Sequence, residues 1–196
     1  MPREANRIYL DTASTTAVHP EVLETYKELL TRYYVNSESL YSEGAEVHRM
    51  LEKARAAAAG LLGVQAEELI FTAGSSESNS SAVKGVCFAL PEKKHIITTR
   101  IEHSSIMNSC RQMERVFGYE VTWLPVNEYG AVSAEDVRKN LREDTALVSV
   151  MHVNNETGAV NPVEEIREIV KKRSYAYFHV DMTQSVDRKA SCRERV

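Results

Sequence analysis

Phe71-Thr-Ala-Gly-Ser-Ser-Glu-Ser-Asn-Ser80 is the stretch on which the reading of this chain turns. The residues leading into it, Glu68-Leu-Ile-Phe-Thr72, are short, apolar and strand-forming. They predict a buried strand that passes through a tight glycine turn at Gly74 into a helix reaching about Leu90. The first N–H groups of a helix lack partners within it, and the helix dipole adds positive character there. Ser75 and Ser76 set hydroxyls beside those donors, an arrangement that suits a phosphate or another anion. An ordinary serine N-cap accounts for the same residues, so the decision falls to the rest of the chain.

Downstream, the pattern alternates regularly: strands are predicted over 95–99, 120–124, 146–151 and 175–181, with helices over 104–117, 133–141 and 162–172. Upstream, residues 8–10 read as a short strand. Pro20 then opens a helix in which Val22, Leu23, Tyr26, Leu29 and Leu30 recur at helical spacing. After an Asn- and Ser-rich loop over 34–44, Val47, Met50, Leu51, Ala54, Ala58 and Leu61 mark a second amphipathic helix, stopped by Gly63. Strands separated by helices imply βαβ units: an α/β fold with a mostly parallel sheet flanked by helices, whose ligands gather at the carboxyl ends of the strands.

Composition narrows the function classes. The chain has 196 residues, 43% hydrophobic, enough for a real core, and a net charge of −4 with acids and bases interspersed. That balance does not point to nucleic acid. No apolar run approaches the roughly 18 residues of a membrane span, and the first residues lack the apolar core of a signal peptide, so a soluble, cytoplasmic protein is expected. Three widely spaced cysteines, Cys87, Cys110 and Cys192, suggest neither a disulfide framework nor a zinc knuckle.

Several polar residues fall just past predicted strand ends: Glu102-His103, His152-Val-Asn-Asn-Glu156 and Asp181-Met-Thr-Gln184. With Gly74-Ser-Ser76 they make four strand ends on one rim. Each alone has a structural explanation, as a helix cap for His103 and Asp181 or as turn formers for Asn154 and Asn155. A metal-dependent hydrolase built on His179-x-Asp181 with His103 and His152 is a further possibility, though no established ligand spacing supports it.

Taken together, Phe71 to Ser78, Thr98 to His103, Met151-His-Val-Asn-Asn-Glu-Thr-Gly158 and His179-Val-Asp-Met-Thr-Gln-Ser185 resemble the motif series of the cysteine desulfurases, pyridoxal-phosphate enzymes of the class V aminotransferase group. Tyr9-Leu-Asp11 with Thr15-Thr16 is similar too, so the resemblance covers residues 7 to 186. It implies the large domain of fold type I transferases and the cofactor pyridoxal 5'-phosphate. By this resemblance Ser75 and Ser76 hold the cofactor phosphate, Ser76 standing where threonine is usual. Asp181 pairs with the pyridinium nitrogen, Asn155 and Gln184 lie near the ring's phenolic oxygen or substrate side, and His103 stacks over the ring and moves protons. L-cysteine is the implied substrate, with sulfur passed to an enzyme cysteine, and the complete enzyme is an expected homodimer with a sulfur-acceptor or scaffold partner.

The chain departs from the family in places. Asn36-Ser-Glu-Ser-Leu-Tyr-Ser-Glu-Gly44 lacks the proline after asparagine and the histidine near Tyr41 that relatives commonly have, and Asn79-Ser80 replaces a more usual Asp-Asn pair. After Val186, Asp-Arg-Lys-Ala-Ser-Cys-Arg-Glu-Arg-Val196 does not match the segment bearing the Schiff-base lysine or the later mobile cysteine. Lys189 and Cys192 are therefore not expected to fill those roles. The expected division is an arm over 1–16, a partial cofactor-binding large domain over 17–186 and an unrelated tail over 187–196. An N-terminal portion of a cysteine desulfurase, inactive as it stands, is the principal reading. A selenocysteine lyase, another class V enzyme or a non-catalytic phosphate-binding module are the alternatives.

Overall fold

The computed structural model describes residues 8–173 and 176–186. The tail over 187–196, with Lys189 and Cys192, lies outside the described residues. Two compact units meet in sequence between Ile70 and Phe71.

The first unit carries α1 (Pro20–Arg32), α2 (Ser42–Leu62) and a single 3-10 turn, Ala66–Glu68. Proline at the first position starts α1, where its missing N–H costs nothing. Gly63 ends α2 in the left-handed region at φ 73°, with Val64 N–H donating to the Ala59 carbonyl at 3.1 Å.

Three sequence expectations fail around this unit. Residues 8–10 and 68–72 form no strand, and Ile70 is 79% exposed. An apolar, β-branched run becomes a strand only when a neighbouring strand takes up its N–H and C=O groups, and neither segment is a member of the sheet's ladders among the described residues. The composition is strand-like, but among the described residues no strand ladder includes it. Gly74 is also not a tight turn that demands glycine: its φ of 161° is extended backbone, and a Cβ there would meet nothing within 4 Å.

The second unit is a four-stranded parallel sheet in the order β2-β1-β3-β4, formed by β1 (His95–Thr99), β2 (Glu120–Leu124), β3 (Thr145–Ser149) and β4 (Tyr177–His179). Its helices are α3 (Ser75–Ala89), α4 (Ser104–Phe117), α5 (Ala134–Asn140) and α6 (Val163–Arg173). The two-residue period of a strand sorts the core into two layers. Ile96 and Leu147 pack with Val83, Cys87, Ile106, Cys110 and Met113 of α3 and α4. Their neighbours Ile97 and Val148 pack with Val137, Ile166 and Val170 of α5 and α6. Each of these fully buried aliphatic side chains contributes about 1.5–3 kcal/mol.

At the amino ends of the strands, buried His95 joins three of them, reaching Thr145 Oγ1 on β3 and Thr122 Oγ1 on β2, each at 2.8 Å. At the carboxyl ends, β3 and β4 stay bonded past their regular spans, with Val150 N–H donating to His179 O at 3.1 Å and His152 N–H to Asp181 O at 3.0 Å. That extension carries the pairing into the rim where the polar residues lie.

Candidate functional site

The loop that follows each strand is fixed to its neighbour by side chains. After β1, Glu102 Oε1 accepts the Thr99 hydroxyl at 2.8 Å and the Met151 N–H at 2.9 Å, joining the ends of β1 and β3. Asn154 donates to Ile101 O at 2.9 Å, and its Oδ1 accepts the N–H groups of Glu156 and Thr157 at 2.9 and 2.8 Å. Gly158, at φ 72°, closes this turn with its N–H on Asn154 O at 3.0 Å. Asn154 is thereby committed to structure, whereas Asn155 projects as an exposed side chain from the same turn.

Asp181, just past β4, is 7% exposed. Burial pushes its carboxyl up, but the Thr183 hydroxyl and backbone N–H and the Asn79 amide outweigh that and hold it below the usual carboxylate range. The bonds are 2.7 and 2.9 Å from Thr183 to Oδ1 and 2.8 Å from Asn79 Nδ2 to Oδ2. A buried, fully bonded, negative carboxylate results, facing α3.

Ser75 and Ser76 are the first two residues of α3, exposed, with their N–H groups at the positive end of a 15-residue helix. Asn79 follows Ser76 by three residues, so the two share a face of the helix. The same helix start thus offers hydroxyls and amides at its tip and grips Asp181 one turn on. A polar groove of about 320 Å³ opens beside it, lined by Ser76, Ser80, Lys84, Ser105 and Asn108 among others.

His103 is the N-cap of α4: Nδ1 accepts the Ser105 N–H at 3.2 Å and lies 2.7 Å from Ser105 Oγ. Ser105 Oγ in turn accepts from Asn79 Nδ2 at 3.1 Å. Ser76, His103 and Asp181 are therefore drawn together through Asn79 and Ser105, two residues that sequence reasoning did not assign to the site. The signal was available in the three-residue step from Ser76 to Asn79 and the two-residue step from His103 to Ser105. Gln184 sits half-buried in the turn over 183–186. His152 and His179 turn to serines instead, His152 to Ser185 Oγ at 3.0 Å and His179 to Ser149 Oγ at 3.0 Å. Among the described residues, no three His, Cys, Asp or Glu side chains cluster to hold a metal ion, and no helix is long and apolar enough to cross a membrane.

The family model described as Aminotransferase class-V matches residues 8–191. The chain belongs to the class V aminotransferase family. Among its class V relatives, cysteine desulfurase IscS of Dictyoglomus turgidum is 43% identical over 180 residues, a match covering 91% of this chain and 45% of that protein. A solved structure described as a NifS-like protein superposes with a TM-score of 0.86 at 37% identity, covering 89% of this chain and 48% of the other. Another, described as SspA in complex with cysteine, gives 0.85 at 37% identity over 90% of this chain and 51% of that one. The class V chain described here thus spans about half the length of the proteins it resembles. The fold expected from the sequence, a parallel sheet flanked by helices, is the one these relatives share.

Proposed function

We propose that this chain is the cofactor-binding portion of a pyridoxal-phosphate-dependent cysteine desulfurase, which converts L-cysteine to L-alanine and passes the sulfur to an enzyme cysteine. The observation that carries the reading is Asp181: a buried carboxylate kept negative by three hydrogen bonds, gripped by the helix whose tip bears Ser75 and Ser76. That donor set fits pyridoxal 5'-phosphate at both ends. A dianionic phosphate suits the α3 tip, and a protonated pyridine nitrogen suits a fixed negative charge. When bound, the cofactor supplies an electron sink for the substrate's α-carbon.

The chain's own residues then divide the work. Ser75 and Ser76 bind the phosphate with hydroxyls and helix N–H groups. Asp181 would pair with the ring nitrogen and favour its protonated form. His103, held at the α4 N-cap through Nδ1, would handle a proton at Nε2. Asn155, exposed on its turn, and Gln184 offer neutral hydrogen bonds toward the phenolic oxygen or the substrate. Within this reading the complete protein is a cytoplasmic homodimer that hands sulfur to an acceptor or scaffold protein.

The test joins this chain to the part of the Dictyoglomus turgidum relative that it does not match and measures alanine formed from L-cysteine. Turnover dependent on added pyridoxal phosphate is expected, falling roughly 10²- to 10⁴-fold in His103→Ala. A folded fusion without cysteine-dependent alanine formation contradicts the reading.

A further inference from the structure

We propose that Asn79 and Ser105 are positioning residues that fix the ring hydrogen of His103 on Nε2 and aim the Asp181 carboxylate, tying the two ends of the site into one hydrogen-bonded unit. The roles of His103 and Asp181 toward the cofactor rest on the reading above. How the two are held rests on geometry alone.

The direction of every hydrogen along the chain follows from its ends. Asp181 is ionised and only accepts, so Asn79 must present its amide nitrogen to Oδ2, at 2.8 Å. The flipped amide would set a carbonyl oxygen against a carboxylate. The second hydrogen on the same nitrogen goes to Ser105 Oγ at 3.1 Å. The Ser105 hydroxyl lies 2.7 Å from His103 Nδ1, and because Nδ1 is the acceptor of a fixed backbone N–H, the hydroxyl is the donor of that contact. Nδ1 also receives the Ser105 backbone N–H at 3.2 Å. Two donors meet at one ring nitrogen, so in the neutral ring the hydrogen sits on Nε2. The Asn79 amide is 3% exposed and its bond to Asp181 is buried.

A carboxylate at position 79 would lie within hydrogen-bond reach of Asp181 and would have to share a proton with it. An amide leaves Asp181 as the sole charge of the pair and directs both of its hydrogens.

The experiment is nitrogen NMR of the ¹⁵N-histidine-labelled 196-residue chain, with the His103 signals assigned by their loss in His103→Ala. The parent ring is expected as a single Nε2–H tautomer with Nδ1 at the position of a hydrogen-bonded acceptor. In Ser105→Ala the Nδ1 resonance should move toward that of a free acceptor, and Ser105→Thr, which keeps the hydroxyl, should restore it. If Ser105→Ala loses the parent's fold, Asn79→Ala gives the same reading, because it frees the Ser105 hydroxyl to turn away and mixes the tautomers. Pyridoxal phosphate affinity, measured in parallel, should weaken roughly 2- to 12-fold in either alanine variant, the worth of one hydrogen bond. An Nδ1–H ring in the parent, or an Nδ1 resonance unmoved by a folded alanine variant, overturns the proposal. Failure of the parent to bind pyridoxal phosphate, with the nitrogen shifts as expected, would instead count against the cofactor reading and leave the hydrogen-bonded unit standing.

Discussion

Beneath the rim, Glu102 keeps Oε2 buried without a hydrogen-bond partner among the described residues, while Oε1 accepts two bonds. Burial pushes its carboxyl up to about 7, the Met151 N–H and Thr99 hydroxyl pull it back, and the charge on Asp181 pushes it up again. Below the ordinary value of 4.5 both folded and unfolded chains hold this proton; between 4.5 and about 7 only the folded chain does. Folding therefore binds a proton in that window, and stability falls as pH rises through it, by about 3 kcal/mol in all. Glu102→Gln keeps the Oε1 acceptor and removes the titration. Urea unfolding at pH 5 and pH 8 should show the variant gaining on the parent at the higher pH, and equal pH dependence of the two proteins would refute the assignment. Residue types at strand ends were legible in the sequence, and the resemblance named Asn155 rather than Asn154 for the site, but the bonds that occupy Asn154 were not legible. Asn154 and Asn155 look alike as letters, and only the Ile101 carbonyl and the two turn N–H groups assign Asn154 to the turn. Asn79 read as a helix residue because its partner Asp181 is 102 positions away.

The helices and central strands were readable because each carries its own periodicity: β1, α4 and β2 lie where alternation and helical spacing put them. What failed was pairing. Leu69 to Thr72 has the apolar, β-prone composition of a buried strand, yet Phe71 is 48% exposed and no ladder includes it. Whether such a run becomes a strand depends on a neighbouring strand, which local sequence does not encode. Amide hydrogen exchange measures the difference. The amides of Ile70 and Thr72, which lie in no ladder among the described residues, should exchange faster than those of Ile97 and Leu147, inside the parallel ladders, which open only with the whole second unit. Equal protection in both places would show that Ile70 and Thr72 belong to a ladder after all.

For the whole molecule, the exposed apolar surface is the governing feature. α1 buries none of its residues, and Val22, Tyr26 and Leu30 on it stand half or more exposed, spaced to share a face. Among the described residues β2 and β4 are the edges of the sheet, and an edge strand is a template for pairing with another chain. Apolar helix faces and open parallel edges together favour association. Sedimentation velocity over a concentration series should show species larger than a monomer that grow with concentration, and a monomer at every concentration with a single cooperative melt would oppose this.

The central claim, that the α3 tip and Asp181 together form a pyridoxal phosphate site, is tested most directly by titrating pyridoxal phosphate into the 196-residue chain and following its absorbance and the quenching of Trp123. Saturable binding is predicted, competed by inorganic phosphate, weakened in Ser75→Ala/Ser76→Ala and weakened again in Asp181→Ala. Binding that does not saturate, or that is the same in all three folded proteins, would contradict it.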